Sequence, residues 1–218
     1  MTTEELDAEA ETFIRGHKGA RPSFKGLYGF PKTLCVSIDE EIVHGIPSPK
    51  RVLKAGSVLS IDCGVLLDGL HADSAITVPV GAIDAEAQRL LDVTERSLYA
   101  GIEQACVGKH VGDIGSAVQA VAEGAGFGVV RELVGHGIGT RFHEEPQVPN
   151  YGQPGRGPRL KPGMTLAIEP MITLGDPETR TLADKWTVVT RDGSLAAHFE
   201  HTVAITEQGP RILTLAAS

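Results

Sequence analysis

The chain has 218 residues, 41% of them hydrophobic and only 5% aromatic, which suits one domain with a largely aliphatic core. A formal net charge of −8 at pH 7 disfavours work on a phosphate backbone or an anionic membrane. No apolar run reaches the roughly 18 residues of a membrane span, the acidic N-terminal stretch lacks a signal's basic and apolar regions, and Cys35, Cys63 and Cys106 are too scattered for a disulfide scaffold or a thiolate zinc site.

Thr2 and Glu5 form a capping-box pair, which predicts a helix over residues 3–15. TLCVSI predicts a short strand at 33–38. Two further strands, 57–62 and 69–78, are joined through LLDG, where Asp68-Gly69 supplies a turn and Leu66 and Leu67 can extend either strand. Asp84 caps a second helix reaching to about residue 105, with Leu90, Leu91, Val93, Leu98 and Ile102 on one face. A third helix over 111–123 stops at Gly124-Ala125-Gly126. Strands are then predicted around 129–134, 165–168, 186–189, 197–205 and 211–215. This alternation has no regular βαβ period, so the expected class is α+β.

Residues 53–62 (LKAGSVLSID) and 160–169 (LKPGMTLAIE) share Leu, Lys, Gly, Leu and Ile in register, and both end in a carboxylate. Two turn-then-strand units can match by chance. Alternatively, the chain is internally duplicated, and each half sends one acid, Asp62 or Glu169, from a strand end toward a shared interface.

Asp62 and Glu169 follow apolar strands, and Asp73 and Glu200 also sit in apolar surroundings with little arginine or lysine nearby. A carboxylate taken out of water must be protonated, paired or bound to a metal. The alternative is four acids that face solvent. If LLDG closes a hairpin, Asp62 and Asp73 come into register on adjacent strands. In GHGIGTRFHEEP, glycines flank His136 and leave room for close approach to a ligand, while His143 follows seven residues later. This loop lacks the lysine and Ser/Thr of a phosphate loop.

With these motifs in hand, the sequence resembles the type I methionine aminopeptidases, within the wider pita-bread metallopeptidases. The resemblance rests on SIDCG, HADSA, GHGIG, IEPM and FEHT, together with VHGIP and FHEEP, and covers nearly the whole chain. It implies a curved antiparallel sheet with pseudo-two-fold halves, in a single catalytic domain over 1–218 divided near residue 105. It also implies two divalent metal ions (Mn, Fe, Co or Zn) held by Asp62, Asp73, His136, Glu169 and Glu200. In that assignment Asp62 serves one ion, His136 and Glu169 the other, and Asp73 and Glu200 both. Glu169 would take a proton from the metal-activated water, His143 would stabilise the oxyanion, and His44 would contact the peptide nitrogen. The side-chain pocket would be walled by Phe30, Cys35, Phe142 and Trp186.

The implied activity is removal of N-terminal methionine before a small second residue. Substrates would be methionyl peptides or nascent chains, met at the ribosome by a cytoplasmic monomer that reads no nucleic acid and enters no membrane. Proline-directed aminopeptidases and dipeptidases of the same fold are one alternative, although they usually carry glycine after Glu-Pro and an acid at the position of His201. A non-catalytic binding module is the other. The 33 residues from His136 to Glu169 leave no room for the type II insertion. Gly64 stands where the family often has threonine, which removes one possible hydrogen bond near the metals. The family's first helix has no counterpart in the sequence, so an open apolar surface is expected near Leu6, Phe13 and Ile14.

Overall fold

The computed structural model describes residues 1–215. Helix α1 (Thr3–Gly16) is closed by the expected capping box: the Thr2 N–H donates to Glu5 at 2.7 Å, and the Glu5 N–H donates to Thr2 Oγ1 at 3.2 Å. Strands β1 (Arg21–Pro22), β2 (Leu34–Ile38) and β3 (Glu41–Val43) precede a long hairpin of β4 (Val58–Leu67) and β5 (Leu70–Pro79). Helices α2 (Ala85–Gln104) and α3 (Val111–Gly124) follow, with Asp84 accepting from the Ala87 N–H to cap α2. The rest of the chain is mainly short strands. They are β6 (Gly128–Val129), β7 (Gly135–Gly137), β8 (Glu144–Val148), β9 (Thr165–Ile168), β10 (Met171–Thr173), β11 (Thr179–Thr181), β12 (Val188–Thr190), β13 (Ala196–His198), β14 (Glu200–Thr206) and β15 (Gly209–Ile212).

Of the strand expected over 129–134 only Val129 is in a strand: residues 130–134 are irregular, and the next strand starts beyond them at Gly135. The strand over 197–205 breaks at Phe199, because its two ends serve different sheets: His198 pairs with Met171, whereas Glu200 pairs with Ala75. The strand expected at 186–189 starts only at Val188, and that expected at 211–215 lies at Gly209–Ile212. Strands β1, β3, β8, β10 and β11 had no sequence signal. Pieces of two to five residues without alternation form because a partner edge is waiting for them.

The main sheet runs β1-β4-β5-β14-β9-β7-β8, with β2 added to β4 and β15 to β14, and its pairings are antiparallel. Two three-stranded sheets, β13-β10-β6 and β11-β12-β3, flank it. Side-chain alternation divides the main sheet into an outer and an inner face. Leu166 and Ile168 of β9 and Val203 and Ile205 of β14 pack with Leu90, Leu98, Ile102 and Ile114 of α2 and α3. On the other flank, Leu34 and Val36 of β2 and Leu59 of β4 pack with Leu6 and Ala10 of α1. Residues of opposite parity, including Cys35, Asp62, Asp73, Glu169 and Glu200, are left to the inner face.

The repeated stretches adopt the same local structure. Ser57 N–H donates to Lys54 O and Met164 N–H to Lys161 O, each at 3.3 Å, around glycines with φ of 95° (Gly56) and 86° (Gly163). Each glycine N–H then donates to a carbonyl, that of Val80 just past β5 in the first case and that of Ile205 in β14 in the second. At the N-terminal flank Phe13 is 71% exposed and Leu6 half-buried, but Ile14 is buried, since its position on α1 turns it inward. On the outer face of β5, Ile76 is 49% exposed.

Candidate functional site

The hairpin turn Asp68-Gly69 has φ of 51° and 82°, a pair that matches the twist of the flanking strands. It pairs Leu67 with Leu70, and the register then carries back to Asp62 opposite Ala75 and Gly64 opposite Asp73. Asp62 and Asp73 are thus diagonal neighbours on the inner face rather than directly opposed. Asp62 also lies mid-strand, not at a strand end, because β4 continues to Leu67.

Pairing continues this row across the sheet. Cys35 is in register with Asp62, and Ala75 with both Asp62 and Glu200. The small Ala75 side chain leaves space between the two acids. His201 pairs with Ile168, which brings Glu169 to the same end of β9, and Ala167 pairs with His136 on β7. Two threonines secure the junction where β5 and β14 diverge. Thr202 Oγ1 accepts from the Asp73 N–H and donates to the Asp73 carbonyl, both at 2.8 Å. Thr77 does the same for His198, also at 2.8 Å.

Glycines fit β7 tightly to its neighbours: a Cβ at Gly135 or Gly137 would lie 2.3 Å from the carbonyl oxygen of Ala167 or Glu145. His136 Nδ1 donates to the Gly137 carbonyl at 2.8 Å, which leaves Nε2 without a proton and turned 3.6 Å from Glu169 Oε1. His143 packs edge-on against His136 and stacks on Tyr28, whose hydroxyl is 3.3 Å from His143 Nδ1. His44 holds a left-handed φ of 60°, a strained value for a residue with a side chain, and this aims its imidazole into the same space.

These groups line a cavity of ≈ 200 Å³ whose other wall is apolar. Phe30, Cys35, Phe142 and Trp186 all face it, with Phe30 edge-on to Trp186 at 5.1 Å and Phe142 edge-on to Phe24 at 5.3 Å. Every residue named from the sequence thus lies at one site: His44, Asp62, Asp73, His136, His143 and Glu169 line the cavity, and Glu200 lies just beneath. Phe24, Leu27, Tyr28, Leu133, Met171 and His198 also line it and had not been expected. His198 could have been found two residues before Glu200 on the same alternation. The aromatic and aliphatic residues carry no such mark, because an apolar side chain in a pocket wall reads like one in the core.

Burial, then the charge of Asp73, pushes Asp62 well above the usual carboxylate range, and the same two causes raise Glu169. Burial followed by repulsion from Asp73, Glu169 and Asp62 raises Glu200, while burial pushes Asp73 up to about 7. Among the described residues no lysine or arginine lines the cavity. Asp62 Oδ1, Asp73 Oδ1 and Glu200 Oε1 are buried without a hydrogen-bond partner. Burial lowers His136 to about 4, keeping it neutral, and raises Cys35 far enough to keep it a thiol. Asp73, His136 and Glu200 offer ligand atoms within 4.8 Å of one another. Orphaned acid oxygens around a neutral imidazole are donors that fit a divalent cation such as Mn, Fe, Co or Zn.

The family profile described as metallopeptidase family M24 matches residues 1–207. A methionine aminopeptidase of Clostridium perfringens is 55% identical over 215 residues, covering 99% of this chain and 86% of that protein. Methionine aminopeptidase 1 of Bacillus subtilis is 56% identical over 214 residues, covering 98% of this chain and 86% of the relative. Among solved structures, the methionine aminopeptidase of Thermotoga maritima superposes with a TM-score of 0.97 at 43% identity, covering 99% of this chain and 86% of that one. The prolidase of Pyrococcus horikoshii, at 22% identity and a TM-score of 0.74, covers 100% of this chain and 55% of its own and shares the fold alone. The α+β pita-bread architecture is common to them.

Proposed function

The chain belongs to metallopeptidase family M24, and from that membership together with its cavity we propose that it removes N-terminal methionine from peptides and newly made proteins whose second residue is small. It is a metal-dependent exopeptidase. The observation that carries this reading is the juxtaposition, in one small cavity, of an apolar aromatic wall and a floor of three acids and a neutral histidine, with Glu200 just beneath it. The wall suits a flexible thioether, and the volume suits one side chain and its peptide bond. Met171, after Glu169-Pro170, fills part of the wall where proline-directed relatives are expected to have glycine.

In this reading Asp62, Asp73, His136, Glu169 and Glu200 hold two divalent ions, and the chain is a single catalytic domain of two related halves. The last three residues of that domain lie outside the described residues. Bound metal would supply Lewis acidity and a water acidified toward neutral pH. Glu169 accepts the proton of the attacking water. His143 is neutral because burial depresses it, and a proton from the Tyr28 hydroxyl at Nδ1 leaves its Nε2–H free to donate to the oxyanion. His44, also kept neutral by burial, contacts the nitrogen side of the scissile bond. Phe30, Cys35, Phe142 and Trp186 hold the methionine side chain and exclude water.

Among the described residues no helix is long and apolar enough to cross a membrane. We place the activity in the cytoplasm, on nascent chains. The test is hydrolysis of Met-Ala-Ser, Met-Lys-Ser and an Xaa-Pro peptide after metal removal and after adding back Mn²⁺, Fe²⁺, Co²⁺ or Zn²⁺. Cleavage of Met-Ala-Ser alone, and only with metal, is expected. Comparable rates on Met-Lys-Ser, or preference for Xaa-Pro, would overturn it.

A further inference from the structure

His198 has none of the roles above, yet its backbone is held at both polar groups and its side chain is buried in the cavity wall. It ends β13, and Thr77 Oγ1 holds both its N–H and its carbonyl. Only 2% of the residue is exposed. Its Nε2 is buried without a hydrogen-bond partner and faces Glu169 Oε2 across 3.8 Å. Glu169 therefore sits between two imidazoles, with Oε1 toward His136 and Oε2 toward His198. The two histidines differ. His136 spends its Nδ1 proton on a backbone carbonyl and presents a bare nitrogen, and its ligand atom groups with those of Asp73 and Glu200. His198 stands outside that group and points at a carboxylate oxygen, which accepts.

We propose that His198 is a positioning residue for Glu169, its Nε2–H donating to Oε2 and turning Oε1 toward His136 and the cavity. A movement of about 1 Å closes the gap to the roughly 2.7–2.9 Å of a charge-assisted hydrogen bond. Ligating carboxylates are themselves held by such outer donors, and loss of one typically weakens metal binding about 10–100-fold. The proposal rests on the reading of Glu169 as a metal-holding group.

Calorimetric titration of the metal-free full chain with Mn²⁺ tests both. His198→Leu, which removes the donor, is expected to weaken Mn²⁺ by about 10–100-fold. His198→Gln, whose amide N–H can reach the same oxygen, is expected to recover most of that loss. In an E169Q background, H198L should cost nothing further. If H198L loses its fold by circular dichroism, H198M, of similar length and without a donor, replaces it. Wild-type Mn²⁺ affinity in the Leu or Met variant overturns the proposal, and so does failure of the Gln variant to recover binding. An undiminished loss in the E169Q background also overturns it, since His198 would then act on the metal or the fold directly. Wild-type affinity in E169Q alone would instead remove the underlying reading of Glu169.

Discussion

Gly64 faces the inner side of β4 opposite Asp73, and the space a side chain would need there is already filled. A Cβ at this position would lie 2.7 Å from Phe24 Cε1, 2.9 Å from Phe142 Cε2 and 3.0 Å from Ser23 Cβ. Carbon atoms in good contact are about 3.5–4.0 Å apart, so Gly64→Ala forces these groups back by roughly 0.5–1.3 Å. They cannot move independently. The two phenyl rings pack edge-on against each other, and Phe142 also packs against His71, His136 and His143. Overpacking of this kind costs about 1–3 kcal/mol. For a chain of this size each kcal/mol lowers the melting temperature by roughly 2–4 °C. Because Phe142 walls the methionine pocket, KM for Met-Ala-Ser should rise as well. Gly124→Ala is the control: it sits at the end of α3 with nothing within 4 Å of an added Cβ and should stabilise by about 0.4–1 kcal/mol. Urea midpoints at saturating metal and steady-state kinetics read both variants. Wild-type stability and KM in Gly64→Ala would refute the argument that the two phenylalanines require a glycine here.

Thr202→Val keeps the side-chain shape but leaves the Asp73 N–H and carbonyl without their 2.8 Å partner, at a cost of about 1–3 kcal/mol for each group left unpaired. A urea midpoint unchanged from wild type would show that the threonine bridge does not hold Asp73. The metal-free protein should lose stability as pH rises between 6.5 and 8. Asp73, raised to about 7 by burial, and the raised Asp62, Glu169 and Glu200 bind protons more tightly folded than unfolded. Their contribution is therefore fully present below the unfolded carboxylate pKa of about 4 and is lost as pH passes their folded values. The buried histidines are depressed and act with the opposite sign, but only below their ordinary value of 6.5. Denaturation midpoints of chelated protein across that window, with Mn²⁺ restoring more at pH 8 than at 6.5, check this; a flat profile contradicts it.

Helices and the long hairpin could be read from the amino-acid order because their signals are local. Thr2 and Glu5 cap α1, Asp84 caps α2, and Asp68-Gly69 turns β4 into β5. The four acids and the one histidine of the candidate metal set could be read too, since charge next to apolar strand residues is conspicuous at any distance. Their mutual arrangement could not. It depends on register between strands far apart in the chain, Asp62 and Glu200 meeting over Ala75, and His136 joining them through Ala167. A shift of one residue in any of those pairings would turn a ligand to the outer face. The break at Phe199 is of the same kind, because two sheets divide one continuous apolar run between them. Part of the pocket wall, Phe30, Cys35, Phe142 and Trp186, was legible only through resemblance, and Phe24, Leu27 and Met171 not at all: they are ordinary core residues until the sheet curves and leaves one side of each facing a cavity.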